Sequence, residues 1–296
     1  LVGMLSFLPA LLAQTVEVWS YNRFPSYQEL DGYDGWTSGY AADPWMGYQG
    51  EENHAFPLTD DESPDCTSHW EGSCANYLIH PAIYASEGIY QAEFYSYDND
   101  SLGLIFGAVS PNDMLLFLYC GRDASGVCPF PELQPPSMAL VHIQNGQAEI
   151  LASEQGNYEE QKSLTLQILL QSNHVSVMAE REDAREEYSL EADLPHFHPL
   201  TGVGFYSYGS GAADGSYLLF ANPIVYAFDQ DNDGWIDDED NCKTVFNPDQ
   251  ADQNQNGIGS ACEDESQPPA DSPTLQNPAP IRTPGSCSTA IPPQNW

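Results

Sequence analysis

Short segments that either alternate apolar and polar residues or are rich in strand-forming residues dominate the middle of the chain. From Ile89 onward they recur about every 10 to 14 residues and are rich in β-branched and aromatic residues. They read IYQAEFYSY, LGLIFGAV, MLLFLYC, MALVHIQ, AEILAS, LTLQILLQ, HVSVMAE, EYSLEA, VGFYSYG and YLLFANPIVYAF. No helix-length stretch with a 3.6-residue period competes with this pattern. The pattern predicts an all-β fold, an antiparallel jelly-roll β-sandwich over residues 15–228 whose first strand contains Val16 and Val18.

The segments on either side of this region differ from it in composition. Leu1 to Ala13 is apolar and too short to span a bilayer. Residues 1–14 are therefore either the end of a secretory signal peptide or a retained segment that docks into a neighbouring subunit. Residues 266–296 contain eight prolines, which predicts an extended tail that can carry O-linked sugar. The acidic residues 229–265 form a separate unit between sandwich and tail.

Aromatic residues are dense between Trp19 and Tyr48. The sequence allows two interpretations of this cluster: a surface that stacks on sugar rings, or side chains that cover the ends and rim of the sandwich.

The stretch from Asp229 to Asp240 has the spacing of a calcium loop. Gly234 allows a sharp turn at the sixth position, and oxygen ligands recur at positions 1, 3, 5, 7, 9 and 12. These ligands are Asp229, Asp231, Asp233, the backbone carbonyl of Trp235, Asp237 and Asp240. This spacing predicts a Ca²⁺ site built only from oxygens.

A weaker version of the pattern follows before Cys262. Its ligand candidates are Asp252, Asn254, Asn256 and Ile258. Together the two halves resemble a thrombospondin type 3 repeat, although Lys243, Asn254, Asn256 and Ser260 depart from that family's pattern. Because asparagine keeps a ligand oxygen but lacks the negative charge, we expect one strong Ca²⁺ site and one weaker site.

A second resemblance lies in the sandwich. FYSYDNDSLGLIFGAV and, later, GVGFYSYG with LLFANPIVYAF resemble the concanavalin-like jelly roll that accompanies calcium repeats in thrombospondins. The resemblance implies that Asp98 and Asp100 hold a further Ca²⁺; otherwise they belong to an acidic hairpin turn. Asn99 begins a possible N-glycosylation sequon.

The charge of the chain limits its partners. Forty-four acidic residues oppose seven basic ones, giving a formal net charge of −37. Nucleic acid and anionic membranes are therefore excluded, whereas cations, neutral glycans and further copies of the chain remain. Between Asp229 and Glu265 the only basic residue is Lys243, so we expect this segment to fold only when it binds cations.

The seven cysteines predict an oxidising compartment. Three close pairs bracket short polar loops rather than the C-x-x-C spacing of a metal knuckle, which predicts disulfides. The pairs are Cys66 with Cys74, Cys120 with Cys128, and Cys242 with Cys262. Cys287 remains as a free thiol or an intermolecular bridge.

Catalytic patterns are weak. No E-x-D-x-E strand supports a glucanase, for which Glu180, Glu182 and Asp183 are the nearest candidates. His196 and His198 lack an evident third metal ligand. We therefore predict a secreted, non-enzymatic, calcium-binding structural or adhesive protein that assembles with itself into a filament or surface layer. The alternative is a lectin-like glycan-binding module; an extracellular glucanase is less favoured.

Overall fold

The computed structural model describes most of the chain between Gln14 and Glu263. The described ranges are 14–25, 28–39, 45–49, 53–57, 76–96, 101–110, 112–121, 128–156, 158, 162–181, 188–196, 199–208 and 218–263. These ranges contain fifteen β-strands and no helix, so they also contain none that could cross a membrane.

The strands follow one another in sequence. They are β1 Thr15–Ser20, β2 Thr37–Gly39, β3 Trp45–Gln49, β4 Asn53–Pro57, β5 Asn76–Ala85, β6 Gly88–Ser96, β7 Ser101–Ser110, β8 Asp113–Cys120, β9 Ser137–Gln144, β10 Gln147–Gln155, β11 Ser163–Gln171, β12 His174–Arg181, β13 Tyr188–Asp193, β14 Leu200–Tyr208 and β15 Leu218–Phe228.

Two antiparallel sheets form the fold. Sheet A has the order β13-β12-β11-β6-β15-β4-β3, and β1 also pairs with β15. Sheet B has the order β10-β9-β8-β7-β14-β5-β2. The all-β jelly-roll sandwich predicted from the alternating pattern is therefore confirmed, and each segment predicted from Ile89 onward corresponds to one strand from β6 to β15.

Strand β5 lies before the region in which the alternation predicted strands. Its sequence contains Pro81, which cannot donate a hydrogen bond to a neighbouring strand and usually argues against a strand interior. In the structure the pairing of β5 with β14 is interrupted between His80 and Tyr84, and the exposed Pro81 lies in this interruption. A local irregularity thus allows the proline within the sheet.

The first strand is present, but one of its two valines does not face the core. The pairing of β1 with β15 shifts between Glu17 and Trp19, so Val18 falls at a bulge and is 37% exposed. Because the bulge inserts one residue, Trp19 packs against the core in its place.

The sandwich interior is aromatic. The rings of Phe205 and Phe220 stack with centroids 4.7 Å apart, Trp36 stacks on Phe205 at 5.8 Å, and Trp45 contacts Phe220 at 5.5 Å. Tyr21, Phe24, Trp36 and Trp45 are all buried in this core. The sugar-stacking interpretation of the N-terminal aromatics is therefore wrong for these four residues, because they fill the sandwich and leave no ring face for a ligand.

The outer faces of the two sheets differ in polarity. On the centre of sheet B, Ile105, Leu116 and Val141 are buried in a second apolar cluster together with Phe130 and Leu133 from the loop after β8. The disulfide Cys120–Cys128 anchors this loop. Outward-facing residues in the middle of sheet A are polar and half-buried; they include Gln91, Glu93, Tyr95, Thr165 and Gln167.

We expect the Trp36→Ala substitution to lower the free energy of unfolding by about 3–5 kcal/mol, because it leaves a large cavity among closely packed rings. Urea unfolding at constant Ca²⁺ measures this. Val109→Ala is the control, since Val109 is 66% exposed and its truncation should cost less than about 0.5 kcal/mol. Equal losses in the two variants would contradict the placement of Trp36.

Candidate calcium-binding site

The acidic segment starts directly at the end of β15 and is attached to the sandwich by its backbone. The amide of Asp229 donates to the Gln14 carbonyl at 2.9 Å, and the amide of Asp237 donates to the Phe228 carbonyl at 2.8 Å. Ile236 packs against the main hydrophobic core. The first loop is therefore seated on the end of the sandwich next to β1.

Carboxylate-to-amide hydrogen bonds shape the first loop. Asp229 accepts from the amides of Asp233 at 3.2 Å and Gly234 at 3.0 Å, and Asp233 accepts from the amide of Trp235 at 2.9 Å. Asn232 and Gly234 both have a positive φ, +59° and +96°, which glycine adopts without strain. The chain thus coils around the carboxylates of Asp229 and Asp233.

Three carboxylates converge inside this coil. Oxygen atoms of Asp229, Asp231 and Asp233 all lie within 4.8 Å of one another, and Asp229 is only 3% exposed. The second oxygens of Asp231 and Asp240 are buried and have no hydrogen-bond partner. Buried carboxylate oxygens without partners are costly, and a bound cation offsets that cost.

The raised pKa values of two carboxylates in this loop also favour a bound cation. Burial, and then the negative charge of Asp233, raise the pKa of Asp231. Burial also raises the pKa of Asp237, although the hydrogen bond from the Gln230 amide opposes the shift. The protein thus holds carboxylates where their charges are unfavourable, and a divalent cation would reverse the penalty. An all-oxygen set of this kind suits Ca²⁺.

Asp237 and Asp240 complete the predicted ligand set while also bracing the loop. One oxygen of Asp237 accepts from the Gln230 amide at 2.9 Å. One oxygen of Asp240 accepts from the Cys242 amide and from the Gln250 side chain, both at 2.8 Å. Each carboxylate therefore retains a second oxygen that can contact an ion. Trp235 at the seventh position is half-exposed, and its indole nitrogen donates to the Pro248 carbonyl at 3.2 Å.

The second loop repeats the hydrogen bonds of the first. Asp252 accepts from the amides of Asn256 at 3.3 Å and Gly257 at 2.9 Å, as Asp229 does from the fifth and sixth residues of its own loop. Asn256 accepts from the amide of Ile258 at 2.8 Å, as Asp233 does from Trp235. Gln255 and Gly257 have a positive φ, like Asn232 and Gly234. Asp252, Asn254, Asn256 and Ile258 thus lie in a loop with the same backbone arrangement as the first.

Two residues that the sequence analysis did not include as candidates occupy the ninth and twelfth positions of the second loop. Ser260 stands at the ninth position, and its hydroxyl accepts from the Gln253 amide at 3.0 Å, matching the bond from Gln230 to Asp237. Glu263 stands at the twelfth position, where one oxygen accepts from the side-chain amides of Asn254 at 2.6 Å and Asn256 at 2.7 Å. The sequence could have indicated Glu263, because counting from Asp252 as the first position of the second loop makes Glu263 the twelfth.

The two loops are tied together through their ligands. The Asn247 amide donates to the second oxygen of Asp233 at 3.0 Å, and the Asn241 amide donates to the Gln250 side chain at 2.9 Å. Cys242 and Cys262 form a disulfide over a sequence separation of 20 residues. Closing a loop of this length stabilises the fold by about 3 kcal/mol in the chain-entropy model.

The remaining candidates lie apart from this site. Glu180 and His196 are exposed. Outside the described residues lie Cys66, Cys74, Asp98, Asn99, Asp100, Glu182, Asp183, His198, Cys287 and the segments 1–13 and 266–296.

Three solved structures are similar to this chain at low sequence identity. A carbohydrate-binding module, CBM66 from Bacillus subtilis, is 12% identical, covers 65% of this chain and 91% of its own, and has a TM-score of 0.40. The Ca²⁺-bound VIP36 exoplasmic/lumenal domain is 13% identical, covers 72% of this chain and 92% of its own, and has a TM-score of 0.45. Peanut lectin is 9% identical, covers 72% of this chain and 97% of its own, and has a TM-score of 0.46. Similarity at this level carries no conclusion about ligands.

No protein-family model matches the sequence, and no curated protein matches it either.

We expect Asp231→Asn to weaken the stronger Ca²⁺ site at least about tenfold, or about 1.4 kcal/mol, because it removes a charge and leaves the shape unchanged. Isothermal titration calorimetry with CaCl₂ measures the affinity. Glu239→Gln is the matched control, since it removes a charge from an exposed side chain between ligand positions. If both variants weaken binding equally, the loop acts only as a diffuse acidic surface.

We expect Glu263→Gln to weaken the second, lower-affinity Ca²⁺ event and to leave the first unchanged, because the glutamine cannot supply two charged oxygens. The same titration resolves the two events. A loss confined to the first event would contradict the assignment of Glu263 to the second loop.

Proposed function

We propose that this chain is a secreted, calcium-binding, lectin-like protein in which a calcium repeat stiffens the end of a β-sandwich. The observation that carries the calcium part is the pair of buried, unpartnered oxygens on Asp231 and Asp240. The proposal is also supported by the resemblance of Asp229–Cys262 to a thrombospondin type 3 repeat and by the hydrogen-bond pattern that the two loops share.

Calcium would also fix the repeat against the sandwich. The Asp238 carboxylate accepts hydrogen bonds from the amide and the hydroxyl of Ser86, in the turn between β5 and β6. Asp238 lies between the ligand positions of Asp237 and Asp240, so the loop that closes around the ion also holds this contact. The function of the ion is therefore mechanical: it neutralises the acidic loop and sets its orientation.

Glycan binding is the role we assign to the sandwich. Its support is the difference between the two outer faces: the centre of sheet B is apolar and buried, whereas the middle of sheet A presents half-exposed polar side chains. Polar side chains beside an aromatic residue such as Tyr95 are suited to neutral sugar rings. We assign no catalytic role to the chain.

Self-assembly into a filament or surface layer is the second candidate. Its support comes from the sequence of the apolar N-terminal run, Cys287 and the proline-rich tail, which lie outside the described residues. Secretion agrees with the disulfides Cys120–Cys128 and Cys242–Cys262 and with the high calcium concentration outside cells.

We expect calcium to raise the melting temperature of the whole chain, because an ion at one hundred times its Kd stabilises the form that binds it by about 2.7 kcal/mol. Asp238→Asn should still bind Ca²⁺ but transmit less of this stabilisation, since its bonds to Ser86 weaken. Calorimetric melts with CaCl₂ and with chelator measure both. If the melting temperature of the sandwich is the same with CaCl₂ and with chelator, the mechanical role is contradicted.

Sedimentation velocity and electron microscopy, with CaCl₂ and with chelator, separate the two candidate roles. Ordered polymers that loosen on chelation would support self-assembly. Monomers in both conditions at high concentration, with the thiol of Cys287 oxidisable, would eliminate it.

A further inference from the structure

A cavity of about 140 Å³ opens on the outer face of sheet A. It is far larger than the 10–15 Å³ or so that a single water molecule needs by the same measure. The residues that line it are His54, Glu93, Phe94, Tyr95, Ser163, Leu219 and Ala221.

The cavity arises from one small residue in a row of larger ones. Across neighbouring strands, His54 pairs with Ala221, and Ala221 pairs with Glu93. Because residues directly opposite in an antiparallel sheet face the same side, the short side chain of Ala221 leaves a depression between His54 and Glu93. In the adjacent row, Tyr95 pairs with both Leu219 and Ser163 and bounds the depression.

The depression combines an apolar side with a fixed acceptor. Tyr95 and Leu219 supply the apolar surface, whereas the Glu93 carboxylate supplies charged oxygens. One of these oxygens accepts from the Asn222 side chain at 3.3 Å. Asn222 has a φ of +49° at the irregularity in β15 that follows Ala221, and this turn directs the backbone away from regular pairing. The Asn222 side chain therefore holds the Glu93 carboxylate in place at the edge of the depression.

The negative charge of the chain limits which ligands the cavity can bind. With a net charge of −37 and a carboxylate in the wall, the cavity disfavours anions such as phosphate or acidic sugars. A neutral sugar ring has apolar C–H faces that fit against Tyr95 and hydroxyl groups that donate to a carboxylate. The size of the cavity suits one ring rather than a long chain.

We propose that the depression over Ala221 binds one hexose ring of a neutral oligosaccharide, with Glu93 accepting hydrogen bonds from its hydroxyl groups. This site deepens, and rests on, the glycan-binding role assigned to the sandwich. Ala221 lies eight residues before Asp229 on β15, a distance of roughly 25 Å along an extended strand. Sugar binding here is therefore independent of the calcium in the repeat.

The test is saturation-transfer NMR on the full chain with four probes: cellobiose, laminaribiose, lactose and mannobiose. At least one should receive saturation from the wild-type chain. Ala221→Leu, which fills the depression, should reduce the affinity for that probe at least tenfold, and Glu93→Gln should reduce it several-fold. Glu149→Gln is the control, because Glu149 is exposed on β10 in the other sheet.

Three results would overturn the proposal. If no probe binds the wild-type chain, both the site and the glycan-binding role fail. If a probe binds equally well to the wild-type chain and to a folded Ala221→Leu variant, the site fails but glycan binding stands. If chelation abolishes binding while the β-sheet circular dichroism persists, the sugar lies near the repeat instead.

Discussion

The acidic repeat depends on the cost of taking carboxylates out of water. Asp229, Asp233 and Asp240 are buried, and carboxylate oxygens of Asp229, Asp231 and Asp233 lie within 4.8 Å of one another. The single basic residue of the repeat, Lys243, is exposed. Backbone amides satisfy some of the carboxylate oxygens, but not those of Asp231 and Asp240 that remain unpartnered. A bound cation would offset this cost, and under our proposal ion binding and folding of this segment are one process.

This requirement extends into the sandwich because the repeat is not a free appendage. Its first residue donates to Gln14 at the start of β1, Ile236 joins the main core, and Asp238 holds the Ser86 turn. Strand β1, the turn at Ser86 and part of the core are thus in contact with the candidate calcium loop. The other end of β15, where the Ala221 depression lies, is remote from these contacts and can act separately.

The strand pattern predicted most of the fold for two reasons. Strands such as β6 and β11 bury every second residue, whereas β7, β8, β9 and β14 are apolar almost throughout and buried on both faces. The pattern could not predict β5, since Pro81 is acceptable only where pairing is interrupted, and an interruption depends on the partner strand. The bulge at Val18 could not be predicted either, because it depends on the pairing of β1 with β15. Glu263 was overlooked because the comparison with a repeat family treated the second loop as ending at Cys262, whereas its own spacing continues one residue further.

The sequence by itself determined the strand pattern and the candidate oxygen ligands of the first loop, because both follow from local spacing. Side chains alternate every two residues along a strand, and the candidate ligands recur at fixed positions within a twelve-residue loop. Only the tertiary structure decided where the aromatic residues lie and what the outer face of sheet A presents. Trp36 and Trp45 could equally have faced a ligand. They are core residues because Phe205 and Phe220 come from distant strands to pack beside them. Likewise, the depression over Ala221 exists because β4, β15 and β6 become neighbours, a relation between distant segments that local spacing does not encode.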